Sequence, residues 1–440
     1  MLFTLSREEI KRKIDARDVT ICVFGLGKMG LPLACAFADA GFKVVGVDID
    51  PEVVENVNRG KTWFEEPELE EKLARAIGNG RLTATVDGEL AVEKSDFIIS
   101  IVPLVLDEER KPDFSAVLKV TETVSRKLRR GHVVGYETTL PIGTTENKLK
   151  PILEKSGLKA GIDFGLFHSP ERLMAGKVFS RLRELKKIIG AVDEKTAFIA
   201  SEIYKVICPA GTLIVSNPRT AEMIKLAAGI WRDVNIAFAN EMAKIADKYE
   251  VDIMEVIKAV NTSPRRIMLE PGCGVGGHCI PVYPYFIINE VENADEMVPV
   301  IKAARKTNES MPEYTVRLAE QELKKKGKKL ENANVVILGL AYRPYIKETI
   351  NSPTLDMVKI LKEKGANVSV FDPMFTEEEV KRITGVKSGD FEALLKEADC
   401  IIISTMYEMF NDLREKADSN CIVIDGRNKL KKNADKSIGR

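Results

Sequence analysis

The sequence predicts an α/β protein with two doubly wound, Rossmann-like domains joined by a helical middle domain that contains one long helix. Two observations carry this prediction. Apolar, strand-like runs alternate with helix-length segments both early and late in the chain, and a long proline-free stretch separates the two regions. At 440 residues the chain also exceeds the size that one hydrophobic core serves, so several domains are expected.

The first region contains five apolar runs with strand character. They lie at residues 19–25, 43–47, 97–102, 133–136 and 188–190, with helix-length segments between them. This alternation is typical of a parallel, doubly wound sheet. We place this domain at residues 1–212.

The middle of the chain predicts a single long helix. Asn217 is a favourable N-cap, Pro218 suits the first helical position, and no other proline occurs before about residue 250. A helix of this length would extend beyond one domain and could link domains or subunits. We place the helical domain at residues 213–312.

The strand and helix alternation resumes in a second, smaller α/β domain, which we place at residues 313–440. Helical patterns at 354–364 and 391–398 lie between four further strand-like runs. These runs are residues 334–339, 367–372, 400–404 and 422–425.

Composition excludes several classes of partner. The 66 basic and 66 acidic residues cancel, so no overall field would attract nucleic acid or an anionic membrane. No window of about 18 uncharged apolar residues predicts a membrane span. The seven cysteines are odd in number and scattered, which favours reduced thiols and a cytoplasmic location.

A glycine-rich turn after the first predicted strand indicates a dinucleotide site. Gly25 permits a tight turn, Gly27 lets the backbone approach a pyrophosphate, and Gly30 lets the following helix pack on the strand. Asp48 ends the next strand, where a carboxylate can accept both ribose hydroxyls and favours NAD over NADP. The predicted cofactor loop comprises Gly25, Leu26, Gly27, Lys28, Met29 and Gly30.

Two further motifs follow predicted strands and would lie at the ligand edge of the sheet. They are ETTLPIGTT at 137–145 and SPERL at 169–173. Glu171 in the second motif could be a general base for a hydrolytic water, or simply an acidic residue at a helix N-terminus.

Cys279 lies in a glycine-rich run, PGCGVGGHCIP at 271–281, which would leave a thiol open to a substrate. A lone cysteine is more often a buried apolar residue. Cys273, His278 and Cys279 could also be read as metal ligands, but no second cysteine or histidine cluster accompanies them, so we predict no metal.

On the predicted long helix, Lys225, Gly229 and Arg232 share one stripe. Lys225 could stabilise an oxyanion or could lie on a solvated face. A glycine inside a helix costs about 1 kcal/mol relative to alanine, which indicates close approach of another group at Gly229.

Seven motifs together resemble the UDP-glucose/GDP-mannose dehydrogenase family over nearly the whole chain. The resemblance implies an NAD-binding domain, a helical middle with dimer contacts, and a C-terminal domain that binds the nucleotide of a UDP-sugar. The motifs are GLGKMG at 25–30, ETTLPIGTT at 137–145, SPERL at 169–173, AEMIKLA at 221–227, PGCGVGGHCIP at 271–281, GLAYRP at 339–344 and DGRN at 425–428.

The resemblance also implies a four-electron oxidation of a sugar C6 alcohol with two NAD. In this scheme Cys279 forms the thiohemiacetal and thioester, Lys225 stabilises the oxyanion, and Glu171 assists thioester hydrolysis. Pro103 and Thr139 are expected to contact the cofactor. The expected substrate-binding residues are Arg172, Lys225, Arg232, Arg265, Gly276, Gly277, Arg343 and Arg427.

Four positions depart from the family pattern. Leu104 lies in a segment where the family usually has a Thr-Pro pair, and Gly229 replaces a common asparagine. Tyr283 stands where an aspartate usually follows the nucleophile by four residues, and Ile350 replaces an arginine. Cys279 and Lys225 match the family.

SPERL, the run at 232–237 and GGHCIP are similar to the branch of the family that acts on UDP-N-acetyl-D-mannosamine. UDP-glucose, UDP-N-acetylgalactosamine or GDP-mannose is the alternative substrate. A nucleotide-sugar epimerase that uses NAD transiently would give no net NADH, and an inactive sugar-nucleotide-binding protein would give no turnover. A homodimer or higher homo-oligomer is expected.

Overall fold

The computed structural model describes residues 1–430 and 433–440. It divides the chain into two units, Met1–Ala227 and Ala228–Arg440. Each unit contains one predominantly parallel sheet covered by helices, which confirms the predicted α/β class.

The first unit contains an eight-stranded sheet in the order β10-β9-β8-β7-β4-β1-β2-β3. The order reverses between β1 and β4, and ligands of doubly wound sheets bind at such a reversal, beyond the carboxyl ends of the strands. Strands β1 to β10 are Thr20–Phe24, Lys43–Val47, Leu82–Thr85, Phe97–Ser100, Val105–Leu106, Pro112–Asp113, Val133–Tyr136, Gly165–His168, Lys187–Ala191 and Thr212–Val215. The β5 and β6 strands form a separate two-stranded hairpin.

The sheet is mixed rather than wholly parallel. Strand β9 runs antiparallel to β8, with Phe167 opposite Ala191, and β10 runs parallel to β9. An edge pair of opposite direction is common in large α/β sheets. The prediction of a parallel sheet therefore holds for the six strands from β3 to β8 in the sheet order, and is wrong for the last two.

Helices cover both faces of this sheet. Alternate strand residues enter two separate cores, so Ile21 and Val23 pack on one face while Cys22 and Phe24 pack on the other. Buried runs of this kind explain why the strands read as continuous apolar segments. The helices of the first unit, α1 to α9, are Arg7–Asp15, Gly30–Asp39, Pro51–Asn58, Leu69–Gly78, Gly88–Glu93, Ser115–Lys127, Lys150–Leu153, Val178–Glu184 and Glu194–Ile207.

The predicted long helix is present as α10, Pro218–Tyr249, which has 32 residues. The side chain of Asn217 accepts a hydrogen bond from the Thr220 backbone N–H at 2.9 Å, so the predicted N-cap is confirmed. At 1.5 Å per residue the helix is about 48 Å long. Its first turns belong to the first unit and its remainder to the second.

The second unit contains a five-stranded, parallel sheet in the order β12-β11-β13-β14-β15, which reverses between β11 and β13. Strands β11 to β15 are Asn334–Leu338, Asn367–Phe371, Cys400–Ile403, Ile422–Asp425 and Lys436–Ser437. Helices α11 to α19 are Ile253–Val260, Tyr283–Ile288, Ala294–Met297, Pro299–Glu309, Met311–Lys325, Pro353–Glu363, Glu377–Thr384, Phe391–Glu397 and Leu413–Lys416.

Two cores lie on the two faces of this sheet as well. Val335 and Ile337 pack with helices α11, α15 and α16, while Val336 and Leu338 pack with α18 and α19. The doubly wound arrangement predicted for the end of the chain is confirmed. No helix in the described part of the chain is long and apolar enough to cross a membrane.

Candidate active site

The glycine turn after β1 has the geometry that a dinucleotide loop needs. Gly25 has φ +92°, a conformation that favours glycine. A Cβ added at Gly30 would lie 1.8 Å from the Gly25 carbonyl oxygen, so only glycine lets α2 approach the turn. A Cβ at Gly27 would meet no atom within 4 Å, which leaves the backbone open to a ligand.

Asp48, at the end of β2, is tied to the same turn. Its Oδ2 accepts the Leu26 backbone N–H at 2.8 Å, and its Oδ1 accepts the Asp50 N–H at 3.1 Å. These bonds hold the carboxylate beside the glycine turn, where the ribose of a dinucleotide would lie. Both the open turn and the fixed acid fit an NAD cofactor.

The segments after β4 and β7 contain the other two predicted cofactor residues. Pro103 is exposed and Thr139 is half-buried. The neighbouring Thr138 hydroxyl donates to the Val102 carbonyl oxygen at 2.7 Å, so the two segments are joined by a hydrogen bond.

Glu222 on α10 fixes the loop that follows β7, a role that we did not predict from the sequence. Its carboxylate accepts the Gly143 N–H at 2.5 Å, the Thr145 N–H at 2.8 Å and the Thr145 hydroxyl at 2.6 Å. The side chain is buried, and this burial raises its pKa to about 7 despite the three donors.

Lys225 lies one turn after Glu222 and contacts the SPERL segment after β8. Its Nζ donates to the Glu171 carbonyl oxygen and lies 3.8 Å from the Glu171 Oε2. The Glu171 Oε1 is buried and has no hydrogen-bond partner among the described residues. Burial raises the pKa of Glu171, and the Lys225 cation opposes this effect. The structure therefore brings Glu171 and Lys225 together.

A buried polar cluster is hydrogen-bonded to the SPERL segment. The Glu137 carbonyl oxygen accepts the Glu171 N–H at 3.1 Å, and the Glu137 carboxylate binds Lys187 and the Tyr204 hydroxyl. Glu137 and Tyr204 are completely buried. A charge in such a position is stable only when it is paired, so the cluster depends on all three side chains.

Cys279 is the only exposed cysteine of the seven. Its loop packs on the segment after β11, where the Gly277 N–H donates to the Ile350 carbonyl oxygen at 2.8 Å. Gly277 has φ +94°, and a Cβ there would lie 2.9 Å from the Tyr342 ring. The glycines expected to admit a ligand are thus approached by Tyr342, which also lies against Gly276.

Tyr283, the first residue of α12, binds Cys279 directly. Its hydroxyl donates to the Cys279 Sγ at 3.1 Å, and its N–H donates to the Cys279 carbonyl oxygen at 3.0 Å. A Cβ added at Gly229 would lie 2.4 Å from the Tyr283 Cδ2. The group expected to approach Gly229 is therefore the Tyr283 ring.

His278, which was considered above as a metal ligand, lies beside Glu348. Its Nε2 lies 3.3 Å from the Glu348 Oε2, and its side chain is exposed. No group of three or more side chains suited to hold a metal occurs within residues 1–430 and 433–440.

The predicted substrate arginines have different surroundings. Arg427 contacts the loop of Cys279, with its Nε 2.5 Å from the Ser404 carbonyl oxygen and its Nη1 3.3 Å from that of Gly274. Arg172 donates to the Lys186 carbonyl oxygen. Arg343 is half-buried, whereas Arg232 and Arg265 are exposed.

Sequence profiles of three domains of one family match the chain. The NAD binding domain of the UDP-glucose/GDP-mannose dehydrogenase family matches residues 19–208, the central domain residues 219–310, and the UDP binding domain residues 336–432.

Full-length relatives agree with these matches. A UDP-N-acetyl-D-mannosamine dehydrogenase of Pyrococcus horikoshii is 38% identical over 416 residues, which cover 93% of this chain and 96% of the relative. A protein of the same name from Campylobacter jejuni is 35% identical over 91% of this chain and 98% of its own. An NDP-N-acetyl-D-galactosaminuronic acid dehydrogenase of Ralstonia nicotianae is 33% identical over 94% of this chain and 97% of its own.

Solved structures match the same fold. The UDP-N-acetyl-D-mannosamine dehydrogenase of Pyrococcus horikoshii superposes with a TM-score of 0.86 at 36% identity, covering 96% of this chain and 99% of that chain. A UDP-glucose dehydrogenase of Pyrobaculum islandicum gives a TM-score of 0.84 at 31% identity, covering 95% and 96%.

These matches identify an NAD-dependent oxidoreductase that acts on a nucleotide sugar. The cofactor predicted from the glycine turn and Asp48 is thereby confirmed as NAD. The chain belongs to the UDP-glucose/GDP-mannose dehydrogenase family.

Proposed function

We propose that the protein oxidises the C6 alcohol of UDP-N-acetyl-D-mannosamine to the carboxylate in two steps, through a thiohemiacetal and a thioester on Cys279. The observation that carries the covalent part is the exposed thiol of Cys279, since the other six cysteines are buried. The names of the two relatives at 38% and 35% identity support this sugar. The UDP binding domain supports a uridine nucleotide over a guanosine one.

NAD would be held by the open glycine turn and by the Asp48 carboxylate beside it. Bound NAD supplies the hydride acceptor for each of the two oxidations. Pro103 and Thr139, on the segments after β4 and β7, are proposed to line the nicotinamide side of the site.

The sugar chemistry balances around the Cys279 sulfur. C6 first loses a hydride and its hydroxyl a proton, which gives an aldehyde. The thiolate then forms a C–S bond to this carbon while the carbonyl oxygen takes up a proton. Loss of a second hydride from C6 and of the hydroxyl proton gives the thioester. Water adds to the thioester and loses two protons, one to a general base and one to solvent, while the C–S bond breaks and leaves the carboxylate and the free thiolate.

Lys225 and Glu171 have surroundings that suit the remaining roles. Lys225 carries a positive charge next to Glu171 and can stabilise the oxyanion of each tetrahedral species. Glu171 has one buried carboxylate oxygen that makes no hydrogen bond to a described residue, and it can accept a proton from the hydrolytic water.

We propose Arg172, Arg232, Arg265, Gly276, Gly277, Arg343 and Arg427 as substrate-binding residues.

The stoichiometry of NADH tests the covalent pathway. With limiting UDP-N-acetyl-D-mannosamine, we expect two NADH for each sugar consumed. Cys279→Ala should form no carboxylate, whereas Cys273→Ala, which alters a buried cysteine of the same loop, should retain the ratio. A ratio of one NADH per sugar, or carboxylate formation by Cys279→Ala, would contradict the pathway.

A panel of nucleotide sugars tests the choice of substrate. We expect kcat/KM to be highest for UDP-N-acetyl-D-mannosamine among this sugar, UDP-glucose, UDP-N-acetylgalactosamine and GDP-mannose. A higher value for any of the other three would replace the proposed substrate. An epimerase would convert a sugar without net NADH, and an inactive binding protein would convert none.

We propose a homodimer formed through α10. Trp231, Phe238 and Ile245 are spaced by seven residues on this helix and are 52%, 52% and 48% exposed, so they form one apolar seam. A seven-residue spacing of apolar side chains suits a second helix of the same kind. The central domain predicted at 213–312 contains this seam.

Phe238→Glu tests the proposed dimer. We expect the wild-type protein to have the mass of a dimer by light scattering and the variant to have that of a monomer, because the charge would be buried at the seam. Ile162→Glu, at an exposed isoleucine of the first unit, should remain dimeric. A monomeric wild-type protein would contradict the proposal.

We also propose three domains at residues 1–212, 213–312 and 313–440, and a cytoplasmic location. The profile matches at 19–208 and 219–310 fall within the first two domains and the match at 336–432 within the third, which supports these boundaries. All seven cysteines are free, as expected in a reducing compartment.

A further inference from the structure

We propose that Tyr283 is a further catalytic residue, whose hydroxyl stabilises the Cys279 thiolate, and that Gly229 provides the space its ring requires. This inference rests on the proposed role of Cys279 as the nucleophile. It concerns the second unit alone, which contains all three residues.

The hydrogen bond follows from local geometry. The Tyr283 N–H donates to the Cys279 carbonyl oxygen at 3.0 Å, so the two residues span one helical turn. Side chains four residues apart lie on the same side of such a turn, and the later one points back toward the earlier one. The Tyr283 hydroxyl consequently reaches the Cys279 Sγ at 3.1 Å, well within the range for a sulfur acceptor.

The ring is held in this position by packing. Tyr283 is 8% exposed, and its ring centroid lies 5.9 Å from that of Phe286. On its other side the ring occupies the space that a side chain at Gly229 would fill, since a Cβ there would lie 2.4 Å from the Cδ2. Any larger residue at 229 would displace the ring and with it the hydroxyl.

Gly229 and Tyr283 are two of the four positions at which the chain departs from the family pattern, and the structure shows that they are in contact. The residues at positions 229 and 283 therefore form a single packing contact, and the two departures alter that contact together. It places a neutral donor beside the nucleophile. A carboxylate at 283 would instead present a negative charge to the thiolate, which disfavours the charged form.

The chemistry uses this donor twice. Sulfur carries negative charge before it attacks the aldehyde and again when it leaves the thioester. A hydroxyl that donates to the sulfur stabilises both charged states, and the proton remains on the tyrosine throughout. Tyr283 thus stabilises the charged sulfur in both steps without adding a proton-transfer step.

Tyr285 provides a matched control on the same short helix. Its hydroxyl donates to the Glu309 carboxylate at 2.7 Å rather than to Cys279. Replacing either tyrosine with phenylalanine removes one hydroxyl and keeps the ring. A difference between the two variants would therefore report the bond to sulfur.

The test is alkylation of the native, full-length protein by iodoacetamide across a range of pH, with modified Cys279 measured by mass spectrometry of the peptide. In Tyr283→Phe we expect alkylation at pH 7 to be roughly tenfold slower, since hydrogen bonds to charged groups are the strong ones. The pH of half-maximal rate should rise, while the limiting rate at high pH is retained. Tyr285→Phe should match the wild type.

Gly229→Ala provides a second variant that leaves the hydroxyl in the chain. We expect slower alkylation at pH 7 because the ring must shift, although alanine favours the helix. In a Tyr283→Ala background the same substitution should have no effect on alkylation. Thermal unfolding of each variant shows whether it is folded.

A wild-type alkylation profile in Tyr283→Phe would overturn the proposal, as would a shifted profile with unchanged kcat for sugar oxidation. A shifted profile together with lower kcat would support it. The proposed function fails by a separate result, namely carboxylate formation by Cys279→Ala, which involves no change at Tyr283.

Discussion

Among single residues, Glu171 has the surroundings that a general base requires. One carboxylate oxygen lies 3.8 Å from the Lys225 Nζ, and the other is buried without a hydrogen-bond partner in the described part of the chain. Burial raises the pKa of this carboxyl group, and Lys225 limits the rise. A base must be deprotonated to accept a proton, so hydrolysis should depend on pH.

We predict that the rate of thioester hydrolysis falls as pH falls through a value above the ordinary glutamate pKa of 4.5. Lys225→Met removes the cation that lowers the Glu171 pKa. The fall in hydrolysis rate, which is the acidic limb of the pH profile, should therefore occur at higher pH. Glu171→Gln should slow hydrolysis by about 100-fold or more and remove the limb. Carboxylate formation followed across pH measures both effects.

Lys248→Met alters an exposed lysine of α10, the helix that also contains Lys225. It should leave the acidic limb of the pH profile at the same pH as in the wild type. If the limb stays in place in Lys225→Met, the assigned coupling between Lys225 and Glu171 is wrong.

Much of the candidate site could be predicted at this scale because motifs encode single residues. Cys279, Lys225 and Glu171 follow from local sequence patterns, and the structure shows the thiol exposed and the other two in contact. The sequence indicates the hydrogen bond between Tyr283 and Cys279 only weakly, through their spacing of four residues. The fit between Tyr283 and Gly229 joins segments far apart in sequence, and no local pattern encodes such a contact.

Among the elements, the start of α10 joins two loops at the carboxyl edge of the first sheet. Glu222 binds the loop after β7 through Gly143 and Thr145, and Lys225 binds the segment after β8 through Glu171. The two side chains are three residues apart and so lie on one face of the helix. One helical turn therefore fixes the positions of both loops.

We predict that Glu222→Gln lowers the free energy of unfolding of the first unit by about 2 kcal/mol, because an amide NH2 would face buried N–H donors that the carboxylate now accepts. Urea denaturation measures the change. Glu241→Gln, at an exposed position of the same helix, should unfold like the wild type. A loss of under about 0.5 kcal/mol would show that the carboxylate does not hold this loop.

Strand prediction succeeded where a strand is buried on both faces. Strands β1, β2 and β7 match the apolar runs closely, since parallel strands between two helical layers need apolar residues on both sides. The edge strand β3 was missed because Thr83 and Thr85 interrupt its apolar pattern, and the edge strand β10 was also missed. Strand direction is not encoded in such runs, which is why the reversal of β9 escaped prediction.

On the scale of the whole molecule, each unit places its candidate ligand loops at the point where the strand order reverses. The glycine turn follows β1 in one sheet, and the segment that packs on the Cys279 loop follows β11 in the other. The chain as a whole carries no net charge, so recognition of a charged nucleotide depends on local groups, and Arg427 is one that we propose. Its response to pH likewise depends on a few buried groups.

His168, His132 and Glu222 of the first unit are buried, and their pKa values are shifted. Burial lowers the pKa of His168 to about 3 and that of His132 to about 4, from an ordinary 6.5. Burial raises the pKa of Glu222 to about 7, from an ordinary 4.5. Between pH 4.5 and 6.5 each histidine is therefore protonated only when the chain is unfolded, and Glu222 is protonated only when it is folded.

We predict that the first unit becomes less stable as pH falls from 6.5 to 4.5. The two histidines add two protons on unfolding and Glu222 releases one, so these three groups contribute a slope of about 1.4 kcal/mol per pH unit, and Glu171, whose pKa burial also raises, opposes this slope near its own pKa. The free energy of unfolding from urea denaturation, measured at several pH values, gives this slope.

Single variants separate the three contributions. His168→Leu should lower the slope by about 1.4 kcal/mol per pH unit and should cost little at pH 7, because neither ring nitrogen has a hydrogen-bond partner among the described residues. Glu222→Gln should raise the slope by about the same amount, since it removes a group that releases a proton on unfolding. His278→Leu, at an exposed position, should leave the slope unchanged. A slope in His168→Leu equal to that of the wild type would mean that this histidine is protonated in the folded protein, against the lowered pKa that its burial causes.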